Sequence, residues 1–195
     1  MRQALAALAP IPRATAAASL RDRLAARLAS ARAGTVMLFA PLADEPDLAP
    51  LVQGWVSAAS GFEPGHTGPS AADSPAALRS PPRVCIPRLN WETRLMHPVL
   101  IRDWSRDLVL ERLNLRVPRP DLPEIPIEEL DAVVVPGLAF TRDGRRLGRG
   151  AGFYDRFLAL LPARVLTIGI CFEVQFIADV PVDEHDRRVR EVLSA

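Results

Sequence analysis

Apolar positions along the chain switch between two periods, and the switches divide it into elements. Between Thr15 and Arg32 the leucines at 20, 24 and 28 recur every fourth residue with arginines between them, which predicts a helix with one buried stripe. Thr35-Val-Met-Leu-Phe-Ala40 is instead a continuous apolar run closed by Pro41, the pattern of a buried strand. Leu48, Leu51, Val52 and Trp55 return to helical spacing after Glu45-Pro46-Asp47, whose proline and acids suit a first turn. Strand, loop and helix in succession is the unit of an α/β sheet.

Residues 60–82 lose all periodicity and are dominated by Gly, Pro, Ser and Ala, which predicts a surface loop inserted between elements. Arg83–Pro87 and Leu95–Ile101 read as strands, and Pro98 places the second at a sheet edge. Asp103–Leu115 reads as a short helix, after which prolines 118, 120, 123 and 126 force an extended connection. Asp131–Val135 predicts a buried strand, Phe153–Leu161 a helix stopping before Pro162, Val165–Cys171 a further strand and Val189–Leu193 a last one. The expected architecture is a three-layer α/β/α single domain spanning residues 1–195 with a mostly parallel sheet.

Composition narrows the function. The 195 residues carry 24 basic and 23 acidic side chains, a net charge of +1, without the basic excess of a dedicated nucleic-acid binder. No window approaches the roughly 20 apolar residues of a membrane span. The alanine-rich start is broken by Pro10, Pro12, Arg13, Arg21 and Asp22 and does not read as a secretory signal. Cys85 and Cys171 lie in apolar runs and read as buried thiols, and with three histidines they do not supply a zinc set. A reduced, cytoplasmic, monomeric protein with small-molecule partners, and neither nucleic acid nor membrane, is expected. Every basic residue is arginine, which excludes a lysine Schiff base and a Walker-type loop lysine.

The densest chemistry lies between a predicted strand and a predicted helix. Gly144-Arg-Arg-Leu-Gly-Arg-Gly-Ala-Gly-Phe-Tyr-Asp155 places glycines at 148, 150 and 152, where positive φ is allowed and N–H groups can converge on a ligand. The following helix N-terminus adds partial positive charge, and Arg145, Arg146 and Arg149 supply forks that match phosphate oxygens. A phosphate cradle is the reading, against a plain structural turn. It is not a dinucleotide fingerprint, since the sixth position from Gly148 is Phe153.

These residues, with Pro136-Gly-Leu-Ala-Phe140, Gln175 and Pro181-Val-Asp-Glu-His-Asp186, resemble the 5-formyltetrahydrofolate cyclo-ligase family, and Glu45-Pro-Asp47, Val84-Cys-Ile-Pro87 and Arg116-Val-Pro-Arg-Pro120 extend the likeness upstream. The resemblance implies a CoA transferase-like fold and ATP-dependent closure of 5-formyltetrahydrofolate to 5,10-methenyltetrahydrofolate, releasing ADP and phosphate with Mg²⁺. By the same resemblance ATP is held by Arg2, Arg146, Leu147, Gly148, Arg149, Gly150, Ala151, Gly152, Phe153 and Tyr154. The folate is held by Glu45, Arg149, Gly150, Gly152, Phe153 and Tyr154, and Mg²⁺ by Asp155 and Asp186. Taken alone, Glu45 and Asp155 are also ordinary helix-start acids, Asp186 a solvated charge and Phe153 a core residue. Ala151 is expected to keep an ordinary φ, since alanine is strained at positive φ. A relative acting on another cofactor-related substrate and a binding module without turnover remain the competing functions.

Overall fold

The structure, a computed structural model, describes residues 10–60, 80–181 and 183–195. Arg2 and nearly all of the loop expected at 60–82 lie outside the described residues. The elements, in chain order, are α1 (Pro10–Ser30), β1 (Thr35–Met37), α2 (Ala49–Ser60), β2 (Arg83–Asn90), β3 (Leu95–Ile101), β4 (Leu108–Leu110), β5 (Arg116–Pro118), β6 (Ala132–Val135), β7 (Ala139–Phe140), β8 (Arg146–Leu147), α3 (Phe153–Leu160), β9 (Leu166–Cys171) and β10 (Glu191–Ser194).

Six strands form one sheet in the order β10-β9-β6-β1-β2-β3, parallel throughout except for β3, which runs antiparallel to β2 at the edge. Alternate side chains of the central strands enter two different cores. Val36, Val84, Val134 and Ile168 pack with Leu20, Leu24 and Leu28 of α1 and Leu48 and Val52 beside or within α2. Met37, Cys85, Val133 and Cys171 face the other way, onto Phe153 and Phe157 of α3. Burial on both faces is why these strands are apolar runs rather than alternations, and it produces the expected three layers. Asp131 ties two strand starts together, its Oδ2 accepting the N–H groups of Gly34 at 2.9 Å and Thr35 at 3.0 Å.

Asp103–Leu115 is not a helix. Asp103 Oδ1 accepts the N–H groups of Ser105 and Arg106, and Asp107 Oδ2 accepts those of Arg102 and Asp103. Carboxylates that satisfy nearby backbone donors favour a turn over a helix. β4 then pairs antiparallel with β5, and the tip between them is a single 3-10 turn in which Leu113 and Asn114 both have positive φ. The short hairpin of β7 and β8 also has no clear period in the sequence. Its turn needs Gly144, whose φ is +84° and whose absent Cβ would stand 2.1 Å from the carbonyl oxygen of Val189. Gly169 in β9 leaves room for the Phe140 ring against the sheet, since a Cβ there would lie 2.5 Å from that ring.

Candidate active site

The strand order dictates where a ligand can enter. From β1 the chain passes to β2 on one side and later returns to β6 on the other, so the connections diverge between β1 and β6. A crevice opens outside the C-terminal ends of parallel strands at such a point. Here it is a cleft of about 740 Å³, floored by Phe39 and Ala40 after β1 and by Pro136 and Gly137 after β6, with the 146–156 loop over it. Gln175, buried, fixes this floor: its Nε2 donates to the carbonyls of Gly137 and Leu138, and its Oε1 accepts the Phe172 N–H.

The loop from β8 to α3 is a cradle of unused donors. None of the N–H groups from Gly148 through Asp155 donates to a partner among the described residues; Arg156, which donates to the Gly152 carbonyl, is the first to resume the helical pattern. Gly150 and Gly152 have φ of +92° and +70°, which turns consecutive peptides toward one side. Ala151 keeps an ordinary φ, as expected, and Gly148 is not in the left-handed region either. A Cβ at 148 would come within 2.9 Å of Arg146 Nη1, so a larger residue there presses on the Arg146 guanidinium.

The two cradle arginines behave differently. Arg146 is buried to 3% side-chain exposure and donates from Nη2 to Asp155 Oδ1 at 2.7 Å, while its Nε has no hydrogen-bond partner among the described residues. Its guanidinium also lies 5.7 Å from the centre of the Tyr154 ring. Arg149 instead crosses the cleft: Nη2 donates to Asp44 Oδ1 at 2.6 Å, and Nε and Nη2 donate to Glu45 Oε1 at 3.2 and 3.0 Å. Burial of Arg149 works against its charge, but the hydrogen bonds and charges of Asp44 and Glu45 outweigh it and hold its pKa above the ordinary value.

Glu45 is 8% exposed, and burial pushes its pKa up despite the opposing Leu42 N–H bond and Arg149 charge. Its Oε2 accepts the Leu42 N–H at 2.9 Å, so Glu45 both closes its own turn and lines the cleft. Burial also pushes the Tyr154 hydroxyl up, with the Glu45 charge adding to the shift, so Tyr154 serves as a neutral phenol. Phe153 both packs in the core and lines the cleft: it is 7% exposed, and its ring meets Trp91 edge-on with centroids 5.0 Å apart. The wall opposite the cradle is largely apolar, built from Ile86, Leu89, Trp91, Met96, Leu113 and Leu115, with Arg94 and Arg116 also lining it. Sequence reasoning missed this wall and Asp44, because the wall comes from three separate segments and Asp44 sits in an unremarkable acidic turn.

Asp155 and Asp186 come together at the cradle's end. Asp155 Oδ1 accepts the N–H of Arg187, the residue after Asp186, at 3.2 Å, and Asp186 Oδ2 accepts the Asp183 N–H at 2.8 Å. The other oxygen of each carboxylate has no partner among the described residues. Among the described residues no group of three or more His, Cys, Asp or Glu side chains is poised around a metal. Two carboxylates with spare oxygens beside a phosphate cradle still fit Mg²⁺, which prefers one or two carboxylates completed by phosphate and water.

The 5-formyltetrahydrofolate cyclo-ligase family model matches residues 75–195, more than half of the chain. The chain belongs to that family. The matched span carries the cradle, Asp155 and Asp186, whereas Glu45 and Asp44 lie upstream of it. Among relatives, a 5-formyltetrahydrofolate cyclo-ligase of Mus musculus is 32% identical over 121 residues, covering 57% of this chain and 60% of that protein. One from Mycolicibacterium smegmatis is 41% identical over 88 residues, 45% of each chain. The chain thus spans about half the length of these curated relatives. A 5,10-methenyltetrahydrofolate synthetase from Mycoplasma pneumoniae shares the family fold at TM-score 0.70 and 18% identity, over 97% of this chain and 91% of that one. No helix among the described residues is long and apolar enough to cross a membrane.

Proposed function

We propose that this member of the family uses ATP to close 5-formyltetrahydrofolate to 5,10-methenyltetrahydrofolate, with residues 1–195 acting as one domain. The observation that carries the reading is the run of eight N–H groups at 148–155 with no partner among the described residues, bordering a cleft whose other wall is largely apolar and reaches a buried carboxylate. Such a surface suits a polyanion on one side and a flat heteroaromatic on the other.

In this scheme the γ-phosphoryl group passes from ATP to the formyl oxygen and ADP departs. The N10 lone pair attacks the activated carbon, the C–O bond breaks, and phosphate leaves together with the N10 proton. The chain's contribution is positioning and charge compensation. The cradle amides and Arg146 hold phosphate oxygens. Glu45 accepts N–H groups along the pterin edge, and the Trp91 side of the cleft covers the aromatic rings. Asp155 and Asp186 would hold Mg²⁺, which supplies charge neutralisation at the phosphates when bound.

The test is direct. Purified protein with ATP, Mg²⁺ and 5-formyltetrahydrofolate develops the near-ultraviolet band of the methenyl product, with ADP appearing in equal amount. Binding of both ligands without that band would replace the reading with a non-catalytic module.

A further inference from the structure

We propose that the Arg149 bridge to Asp44 and Glu45 couples the two ligands of this cleft, and that Asp44 is the positioning residue that sets the strength of the coupling. The inference rests on the proposed function, since it takes the cradle for the nucleotide and Glu45 for the folate. The two half-sites hold one another. Arg149 spends Nε and Nη2 on two carboxylates more than 100 positions earlier in the chain, and Glu45 has both oxygens engaged, Oε1 by Arg149 and Oε2 by the Leu42 N–H. A triphosphate on the 148–155 amides lies against the backbone of Arg149 and competes for its guanidinium. If the phosphate takes it, Glu45 is left buried at 6% side-chain exposure without its cation, which is costly unless N–H donors replace it. A pterin edge supplies such donors. Conversely, a pterin edge on Glu45 displaces Arg149 and delivers it to the phosphates. Each ligand therefore completes the site for the other, and the coupling is reciprocal by thermodynamic necessity.

The geometry permits the exchange. Arg149 lies between Gly148 and Gly150, a Cβ at 150 would meet nothing, and the Arg149 and Asp44 side chains are 32% and 33% exposed. Asp44 is not among the residues lining the cleft; it reaches the ligands through Arg149 and through the repulsion between its charge and that of the adjoining Glu45.

Titration calorimetry with Mg²⁺ gives the dissociation constants of a non-hydrolysable ATP analogue and of 5-formyltetrahydrofolate, each alone and with the other saturating. Each ligand is expected to tighten the other by one common factor of at least about fivefold. In Asp44→Asn the nucleotide alone binds several-fold tighter and the common factor falls to less than half, whereas Asp44→Glu restores it; a purely structural role for Asp44 would not move that factor. Independent binding in the parent protein overturns the coupling while leaving the proposed function standing, provided the methenyl band forms. An unchanged factor in Asp44→Asn overturns the role of Asp44. Failure of both ligands to bind overturns the proposed function and the coupling together.

Discussion

Arg146 and Arg149 stand three residues apart in one loop, yet they belong to two different kinds of structure. Arg146 points into the layer between loop and sheet, is 3% exposed, and answers a carboxylate only nine positions away in the next helix. Arg149 leaves the loop, reaches carboxylates on the other side of the crevice and stays about one-third exposed. Burial separates the two: an ion pair shielded from water is costly to break by removing one partner, whereas the part-exposed Arg149–Asp44 pair is worth little net and exchanges readily, and only the Glu45 end of that tie is buried. The cleft thus has a fixed floor and a movable tie across it.

Four measurements press on that contrast, from the largest expected effect to the smallest. Asp155→Ala leaves the buried Arg146 charge uncompensated and lowers stability by about 3–5 kcal/mol in urea unfolding, with turnover down at least about a hundredfold. A cost no greater than that of Arg149→Ala would erase the distinction. The layer below the cradle contains Cys85 and Cys171, free and buried, whose thiols burial pushes up to about 12. Alkylation of the folded protein is therefore expected to be roughly a thousandfold slower than that of an unfolded control. The folded state also binds more protons than the unfolded state between pH 9.0 and about 12, so stability falls as pH rises through that window. Rapid labelling at neutral pH would show that the floor opens.

Arg149→Ala is expected to cost less stability than Asp155→Ala, because the stranded Glu45, its pKa already raised by burial, takes up a proton rather than stay charged, while product formation drops sharply. The smallest effect is at Glu45. Its carboxyl is raised above the ordinary 4.5 by burial, so its contribution is fully present below that pH and is lost as pH rises through the raised value. Denaturation of Glu45→Gln between pH 4 and 8 lacks this slope; an identical slope in both proteins would place Glu45 in water.

The sequence exposed one of these regions far better than the other. The cradle is continuous, so Gly148 to Asp155 can be read as a unit, and the leucines of α1 declare their buried stripe by spacing alone. The opposing wall is assembled from Trp91, Met96, Leu113 and Leu115, which meet only after β2, β3 and the β4–β5 hairpin fold together. The same hairpin defeated helical spacing at 103–115, because Asp103 and Asp107 take up the local backbone donors. Phe153 packs against Trp91 while also lining the cleft, a contact no local pattern announces.

The proline-rich connection has a consequence beyond linking elements. It runs beside the outermost strand, where the Leu100 N–H donates to the Pro123 carbonyl and the Ile125 N–H to the Pro98 carbonyl. Pro98 itself offers no donor, and Val99 bridges to Glu124 across the margin. From Pro98 to Leu100 the rim that would otherwise template another chain is already taken, so a foreign β-segment docking there must first displace the polypeptide's own turn-rich hem.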